Sequence, residues 1–415
     1  MKPINVVFIG SLTDVSGYGV AGRAYVRALR TLPNVNLATR NIKFDLGNYE
    51  PTEEESHELY DPLPFGAPDV VIHHTTPEFF YFPWSTFETR SAQERIDKTR
   101  EVIDYQLPRN KDQHPYNKAI NIALTHWETS LLPVPWVPAF NEMEHVVVSS
   151  TANAQCFGLS GVKAPTSIIP IPVPQDMDKF RALEPLKVRG VSPSAYDCIF
   201  YSICQVSPKK GLDKLLTCWY SAMGRTKALL LLKVYISAGF GSQNQTAIRD
   251  YLAHYRELTN VGRYAPVITI TKSLSQEDMW RLHRLGNCYV LPSRAEGFSM
   301  THFEAMAMGN PPIGVPWGGP ADFLNEDNSF LIDYHMAPTI GMRRFGAPYL
   351  YTSQQAWAEP HEDSLVQNMN AAMTMYTEDP AAWEEKRRHG QETIKAFSTE
   401  KVAKQWDEVL KLVTS

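Results

Sequence analysis

Two doubly wound α/β domains are predicted by three features of this 415-residue chain. Short apolar runs alternate with helical patterns through both halves of the sequence. The runs of the first half end in polar or reactive residues, as parallel strands do at the carboxyl edge where such sheets place ligands. The alternation breaks once, over residues 164–193, where proline recurs at Pro165, Pro170, Pro172, Pro174, Pro185 and Pro193, and then restarts. Proline fixes its own backbone and pushes the preceding residue toward extended conformations, so this stretch reads as an interdomain linker.

Residues 5–10, NVVFIG, predict the first strand. A polar, glycine-containing loop follows over 11–22, then a helix over 21–32. Residues 69–72, 119–124 and 144–148 predict further strands. They lead into His73 and His74, into Thr125-His126-Trp127-Glu128, and into Ser149 and Ser150. After the linker, strands are predicted at 197–204, 228–237, 267–271, 287–291 and 312–315. Helices are predicted at 210–223, 275–285 and 300–308, with a helical turn at 318–320. Ser275-Gln-Glu-Asp278 has the spacing of a capping box. The tail, 379–415, has helical composition and few breakers.

Composition narrows the function classes. With 43% hydrophobic and 20% charged residues the chain builds sizeable cores, which excludes a wholly disordered protein. Forty basic against forty-five acidic residues give a net charge of -5, so there is no global attraction to nucleic acid. The apolar run at 6–9 is too short for a signal peptide, and no window approaches the ~18 apolar residues of a membrane span. The five cysteines include no Cys-x2-Cys pair, which argues against a disulfide framework or zinc site and for a reduced, cytosolic protein.

The densest chemistry lies in residues 288–304, CYVLPSRAEGFSMTHFE. A strand ends at Pro292, a short loop presents Glu296, and Gly297, Phe298, Ser299 and Met300 open a helix. Free backbone N–H groups and the positive end of the helix dipole collect there, which favours an anion. Glu304 sits further into that helix, so two carboxylates bracket an elongated ligand with a charged middle. A second segment, CQVSPKKGLDKLL at 204–216, puts Lys209, Lys210 and Gly211 at a helix start, where an ammonium reaches a diphosphate.

On these residues, and on the AMGNPPIG that follows, the chain resembles the retaining glycosyltransferases of GT-B architecture with a Glu-x7-Glu motif, glycosyltransferase family 4 and its relatives. The resemblance implies two Rossmann-like domains facing each other across a cleft, with a C-terminal helix returning to the first. Residues 1–172 with 393–415 would bind the acceptor, 173–192 would link, and 193–392 would bind a nucleotide-diphosphate sugar. It places Glu296 by the donor sugar, the amides of 297–300 on the diphosphate, and Glu304 on the ribose. Family members carry an Arg five residues before the lysine, where this chain has Gln205. His126 matches a family histidine near the donor sugar and leaving group. Catalytic roles thus fall to His126, Glu296 and Lys210. Donor contacts fall to Gln205, Lys209 and Lys210, to residues 297–300 and Glu304, and to Gly17 and Gly19, whose loop packs over the donor phosphates. The implied reaction moves a hexose or pentose from a UDP- or GDP-sugar to the hydroxyl of a glycan, lipid or small molecule, with retention and no further cofactor or metal.

Other residues stay open to an acceptor. His73 and His74 follow a strand, and Glu128 lies in a Trp-Glu-Thr run. Trp84 lies in the aromatic segment Phe79, Phe80, Tyr81, Phe82, Trp84, Phe87, which reads as core or as an acceptor or membrane-touching platform. Asp176-Met-Asp178 imitates a metal motif but lies away from any strand end. Three alternatives remain. Gly17, Gly19 and Gly22 have Gly-x-Gly-x-x-Gly offsets, so an NAD-dependent oxidoreductase is one. A non-catalytic GT-B scaffold is another. The third changes only the acceptor, to a modified base in DNA.

Overall fold

The computed structural model describes residues 3–14, 16–41, 67–77, 80, 118–174, 177–236, 242–342 and 350–415. The chain divides into two units. The first is Met1–Trp127, Leu131–Pro174 and Phe397–Ser415; the second is Glu128–Ser130 and Gln175–Ala396.

The first unit is built on a six-stranded parallel sheet. Its strands are β1 (Ile4–Gly10), β2 (Val35–Asn41), β3 (Val70–His74), β4 (Ile120–Thr125), β5 (His145–Val148) and β6 (Thr166–Ile168), in the order β2-β1-β3-β4-β5-β6. The sequence alternation arises because helices cover both faces of such a sheet, so its inner strands read as near-continuous apolar runs. Helix α1 (Gly17–Arg30) starts four residues before the predicted point, because Ser16 is extended and its hydroxyl accepts from the Gly19 amide at 3.4 Å. The predicted glycine loop is therefore shorter, and Gly17, Gly19 and Gly22 are helical. Short helices α2 (Trp136–Asn141) and α3 (Thr151–Leu159) flank β5. The C-terminal helix, Thr399–Thr414, packs on α1 through an edge-to-face contact of Trp406 with Tyr25, with ring centroids 6.1 Å apart.

The second unit repeats the plan. Strands β7 (Cys198–Gln205), β8 (Ala228–Tyr235), β9 (Val267–Ile270), β10 (Cys288–Leu291), β11 (Pro312–Gly314) and β12 (Phe330–Leu331) form a parallel sheet in the order β12-β11-β10-β7-β8-β9. Its helices are α4 (Met177–Arg181), α5 (Leu212–Ala222), α6 (Ser242–Thr259), α7 (Gln276–Leu285), α8 (Met300–Ala307), α9 (Glu362–Glu378) and α10 (Pro380–Ile394). Ser275 caps α7 by accepting from the Asp278 amide at 3.1 Å, as its sequence spacing predicts. An antiparallel pair, β13 (Tyr334–Pro338) and β14 (Ala356–Pro360), has no counterpart in the sequence reading. The core is continuous between sheet and helices: Trp219 is fully buried and meets Phe200 edge-to-face at 5.6 Å. Burying a side chain of this kind contributes about 2–3 kcal/mol.

The proline-rich stretch is more structured than a linker. Thr166–Ile168 forms the edge strand β6, a position where flanking prolines forfeit no ladder bond. Residues 177–181 are already α4: Phe180 stacks on Trp280 at 4.9 Å, and Arg181 donates to the Ala307 carbonyl at 2.9 and 2.6 Å. No described helix is long and apolar enough to cross a membrane, and all five cysteines are free and buried.

Candidate functional site

A doubly wound sheet opens a crevice where the strand order reverses, outside the carboxyl ends of the two strands that flank the reversal. In the second unit that point lies between β7 and β10. The loop after β7 carries Lys209 and Lys210; the loop after β10 carries Ser293, Arg294 and Glu296. The two segments singled out by sequence are thus neighbours because of strand order, although some 86 residues separate them along the chain.

Their side chains converge. Lys210 Nζ donates to Glu296 Oε1 at 2.6 Å, and Ser293 Oγ donates to the same oxygen at 2.6 Å. Glu296 is only 7% exposed. Lys209 Nζ donates to Glu128 Oε1 at 2.6 Å, and Tyr351 Oη donates to Glu128 Oε2 at 2.7 Å. Burial by itself raises the Glu128 pKa; the charges of Lys209 and Lys210, with the hydrogen bonds from Lys209 and Tyr351, override it and hold the carboxyl down at about 2. The Lys209 ammonium is disfavoured by burial, but Glu128 more than compensates and raises its pKa. Glu128–Ser130 is held in the second unit by Ser130 as well, whose amide donates to Ala356 O at 2.9 Å.

The turn bearing the lysines depends on Gly211. It has φ +63°, and a Cβ there would overlap the Pro292 carbonyl. The Lys209 carbonyl in turn accepts from the Arg294 amide at 2.7 Å. Helix α8 opens at Ser299, which has φ +71° and ψ +67° and makes no side-chain cap. A left-handed non-glycine residue is strained, a feature that concentrates at functional sites. The Ser299 hydroxyl lies 2.7 Å from His302 Nδ1 instead of capping the first-turn amides. Burial holds His302 down at about 4, so its ring is neutral near pH 7. Gly319 closes over this entrance: its amide donates to Glu296 O at 2.9 Å, and a Cβ on it would overlap Gly297 and Phe298.

Gly297, Phe298 and Ser299 are buried and Met300 half-buried at the start of α8, and Glu304 follows on the same helix, its carboxylate 3.7 Å from His283 Nε2. Gln205 ends β7, half-buried. In the first unit the strand order reverses between β1 and β3. Tyr18 stacks on His126 at 4.6 Å, and its hydroxyl shares a 3.0 Å hydrogen bond with Thr125 Oγ1. His126, just past β4, is half-buried. Gly19 is needed because a Cβ would overlap the Asp14 carbonyl; Gly17 has open space around it. The close approach that Gly19 permits is therefore to the chain's own backbone.

His73 and His74 do not follow β3 but end it, and each is 1% exposed. His73 Nε2 lies 3.1 Å from Asn121 Oδ1, and His74 packs among Phe8, Tyr18 and Tyr25. That burial argues for a core role in place of direct acceptor contact. Burial lowers the His73 pKa to about 4, against the Asn121 hydrogen bond, and lowers His74 to about 3, helped by the charge of His126. Unfolded, both return to about 6.5, so the unfolded chain takes up protons below that pH that the folded chain refuses. The stability they contribute is whole above pH 6.5 and drains as pH falls toward 4 and below. Calorimetry from pH 7 to pH 4 should show a falling melting temperature, and His74→Phe should make that slope shallower. An unchanged slope in the variant would remove His74 from the account.

Phe80 is buried and meets Phe140 edge-to-face at 5.6 Å, which fits the core reading of the aromatic segment. Trp84, like Phe79, Tyr81, Phe82 and Phe87, lies outside the described residues, and so does Asp176. Asp178 is exposed and pairs with Arg181 at 2.7 Å. Among the described residues no group of three or more His, Cys, Asp or Glu is placed to hold a metal.

Sequence reading missed Arg294 at the site and a buried lysine in the neighbouring strand. Arg294 was given no role in the 288–304 segment and is buried in a network of five hydrogen bonds. Lys233 hid inside the apolar run of β8. It is 6% exposed, and burial holds its ammonium down at about 8. A charge inside a parallel strand was the available signal.

The family model described as glycosyl transferases group 1 matches residues 198–340, the span that contains both loops. No curated protein matches the chain. Several solved structures share its fold. HepE from Anabaena, in complex with UDP and glucose, is 14% identical over 98% of this chain and 99% of its own, with a TM-score of 0.59. Sucrose-phosphate synthase from Thermosynechococcus elongatus is 15% identical over 99% of each chain, with a TM-score of 0.59. The trehalose-6-phosphate protein from E. coli, bound with UDP-2-fluoro glucose, is 11% identical over 98% and 99%, with a TM-score of 0.62. At such identities the likeness is one of fold.

Proposed function

We propose, from the premise that this chain is a GT-B glycosyltransferase, that its second unit binds a nucleotide-diphosphate sugar and its first unit an acceptor hydroxyl. The sugar is transferred with retention of configuration. The observation that carries this reading is the convergence of Lys210 and Ser293 on Glu296 at the strand-order reversal, beside the opening of α8. Among the solved structures that share the fold, HepE and the E. coli trehalose-6-phosphate protein hold UDP or a UDP-sugar, which favours UDP over GDP as the donor base.

In the reaction the bond from the anomeric carbon to the diphosphate breaks and a bond to the acceptor oxygen forms. The acceptor proton passes to the departing diphosphate. Lys210, supported by Lys209, and the amides of 297–300 stabilise the negative charge that develops on the leaving group. Glu296 orients the sugar, Glu304 takes the ribose hydroxyls, and His126 contacts the sugar or positions the acceptor. Gln205 can donate a hydrogen bond to the donor but adds no charge. No metal is needed for this charge balance. The free thiols fit a reducing, cytoplasmic setting.

The test is a donor screen that reads release of nucleoside diphosphate from UDP- and GDP-sugars, with glycan, lipid, small-molecule and hydroxymethylated-DNA acceptors. Acceptor-dependent release of UDP is expected. Release with the DNA acceptor, weakening steeply with salt, would assign a base acceptor. Binding of NAD with no release from any sugar donor would overturn the reading.

A further inference from the structure

We propose that Arg294 is a positioning residue that sets the diphosphate grip by fixing the Lys209–Lys210 turn from behind, without touching the ligand itself. The inference rests on the donor-site reading above. A guanidinium has five N–H donors in a rigid plane, and here all five are used. Nε donates to Glu359 Oε2 at 2.6 Å, and Nη2 to Glu359 Oε1 at 2.9 Å. Nη1 and Nη2 donate to the two carboxylate oxygens of Asp213 at 2.8 and 2.7 Å. Nη1 also donates to the Pro208 carbonyl at 2.6 Å.

These partners come from three separate elements. Pro208 opens the turn that carries the lysines, Asp213 lies in the first turn of α5, and Glu359 lies on β14. The Arg294 backbone adds a fourth tie, its amide donating to the Lys209 carbonyl. One side chain thus joins both ends of residues 208–213 to the loop that presents Glu296. With no donor left over and 6% exposure, Arg294 has no group to offer a phosphate. Its charge is spread over two carboxylates, so the net charge it adds at the ligand is small. Its effect on an anion must pass through the placement of Lys209 and Lys210. Lysine cannot stand in: a compact ammonium with three donors cannot hold two carboxylates in fork geometry.

The prediction is specific to the phosphates. In calorimetric titrations of the full chain with UDP and with uridine, Arg294→Lys should weaken UDP at least about tenfold and uridine by less than about twofold. Glu359→Gln and Asp213→Asn each weaken one fork while keeping the side-chain shape, and should lower the UDP-to-uridine ratio in the same direction by a smaller factor. They carry the test if Arg294→Lys does not fold. Equal loss of UDP and uridine would mark a merely structural role, and a wild-type ratio in all three variants would also overturn the proposal. A wild-type chain that binds UDP and GDP no better than their nucleosides would instead overturn the donor-site reading, and this inference with it.

Discussion

Sugar transfer is expected to fall at least ~10²–10³-fold in Lys210→Ala and in Glu296→Ala, the range reported for removing one preorganised charge-stabilising donor. The two residues fail for different reasons. In the proposed reaction Lys210 supplies positive charge beside the leaving group, where its value grows as negative charge develops in the transition state. Glu296 holds Lys210 in place at 2.6 Å and, in the same proposal, orients the sugar. Without Lys210, Glu296 keeps the Ser293 hydroxyl but loses its cation while 7% exposed. Breaking a buried pair costs about 3–5 kcal/mol, at or below the low end of a typical domain's stability, so the fold is expected to hold. The check is turnover in a nucleotide-release assay, with circular dichroism confirming the fold at the assay temperature. Wild-type turnover in both variants would sink the site assignment.

The largest stability effect is expected at Gly211. Gly211→Ala places a Cβ on a backbone at φ +63° and drives it into the Pro292 carbonyl. Left-handed backbone alone costs about 1–2 kcal/mol for a residue with a Cβ. The overlap is with backbone and cannot be relieved by a rotamer change, so the total reaches about 3 kcal/mol or more. For a unit of this size that corresponds to a drop of roughly 6–12 °C in melting temperature. Activity should fall as well, because Pro292 leads the loop that presents Glu296 and Gly211 follows Lys210. Gly17→Ala is the contrast: it meets nothing within 4 Å at the exposed start of α1. It should be neutral or stabilise by about 0.4–1 kcal/mol. Scanning calorimetry on both variants separates the cases, and a Gly211→Ala protein that melts like the wild type would refute the steric argument.

Much of the proposed donor site was legible because its signals are local. A strand, a short loop with Glu296-Gly297 and a helix carrying Glu304 lie within seventeen consecutive residues, and the lysine segment is as short. The capping serine of α7 was readable for the same reason. Misreadings arose where a signal was shared. Glycines marked a loop after β1, but Ser16 began the helix earlier and Gly19 serves close packing against Asp14. Prolines marked a linker, yet an edge strand tolerates them at β6. His73 and His74 do stand at a strand end, but the sequence did not show that each is almost fully buried there.

The amino-acid sequence by itself determined the fold class, most strands of both sheets, and the two short segments to which the proposed donor chemistry is assigned. Periodicity and helix-start chemistry are written in neighbouring residues, so no tertiary knowledge is needed to read them. Only the tertiary structure decided that the lysine turn and the Glu296 loop are one site. Strand order, with β7 beside β10, brings them together, and order is set by how whole elements pack. The partners of Arg294 and Glu128 belong to the same class. Asp213, Glu359, Tyr351 and Lys209 lie 65 to 223 residues away along the chain, and no local pattern encodes a contact at that separation.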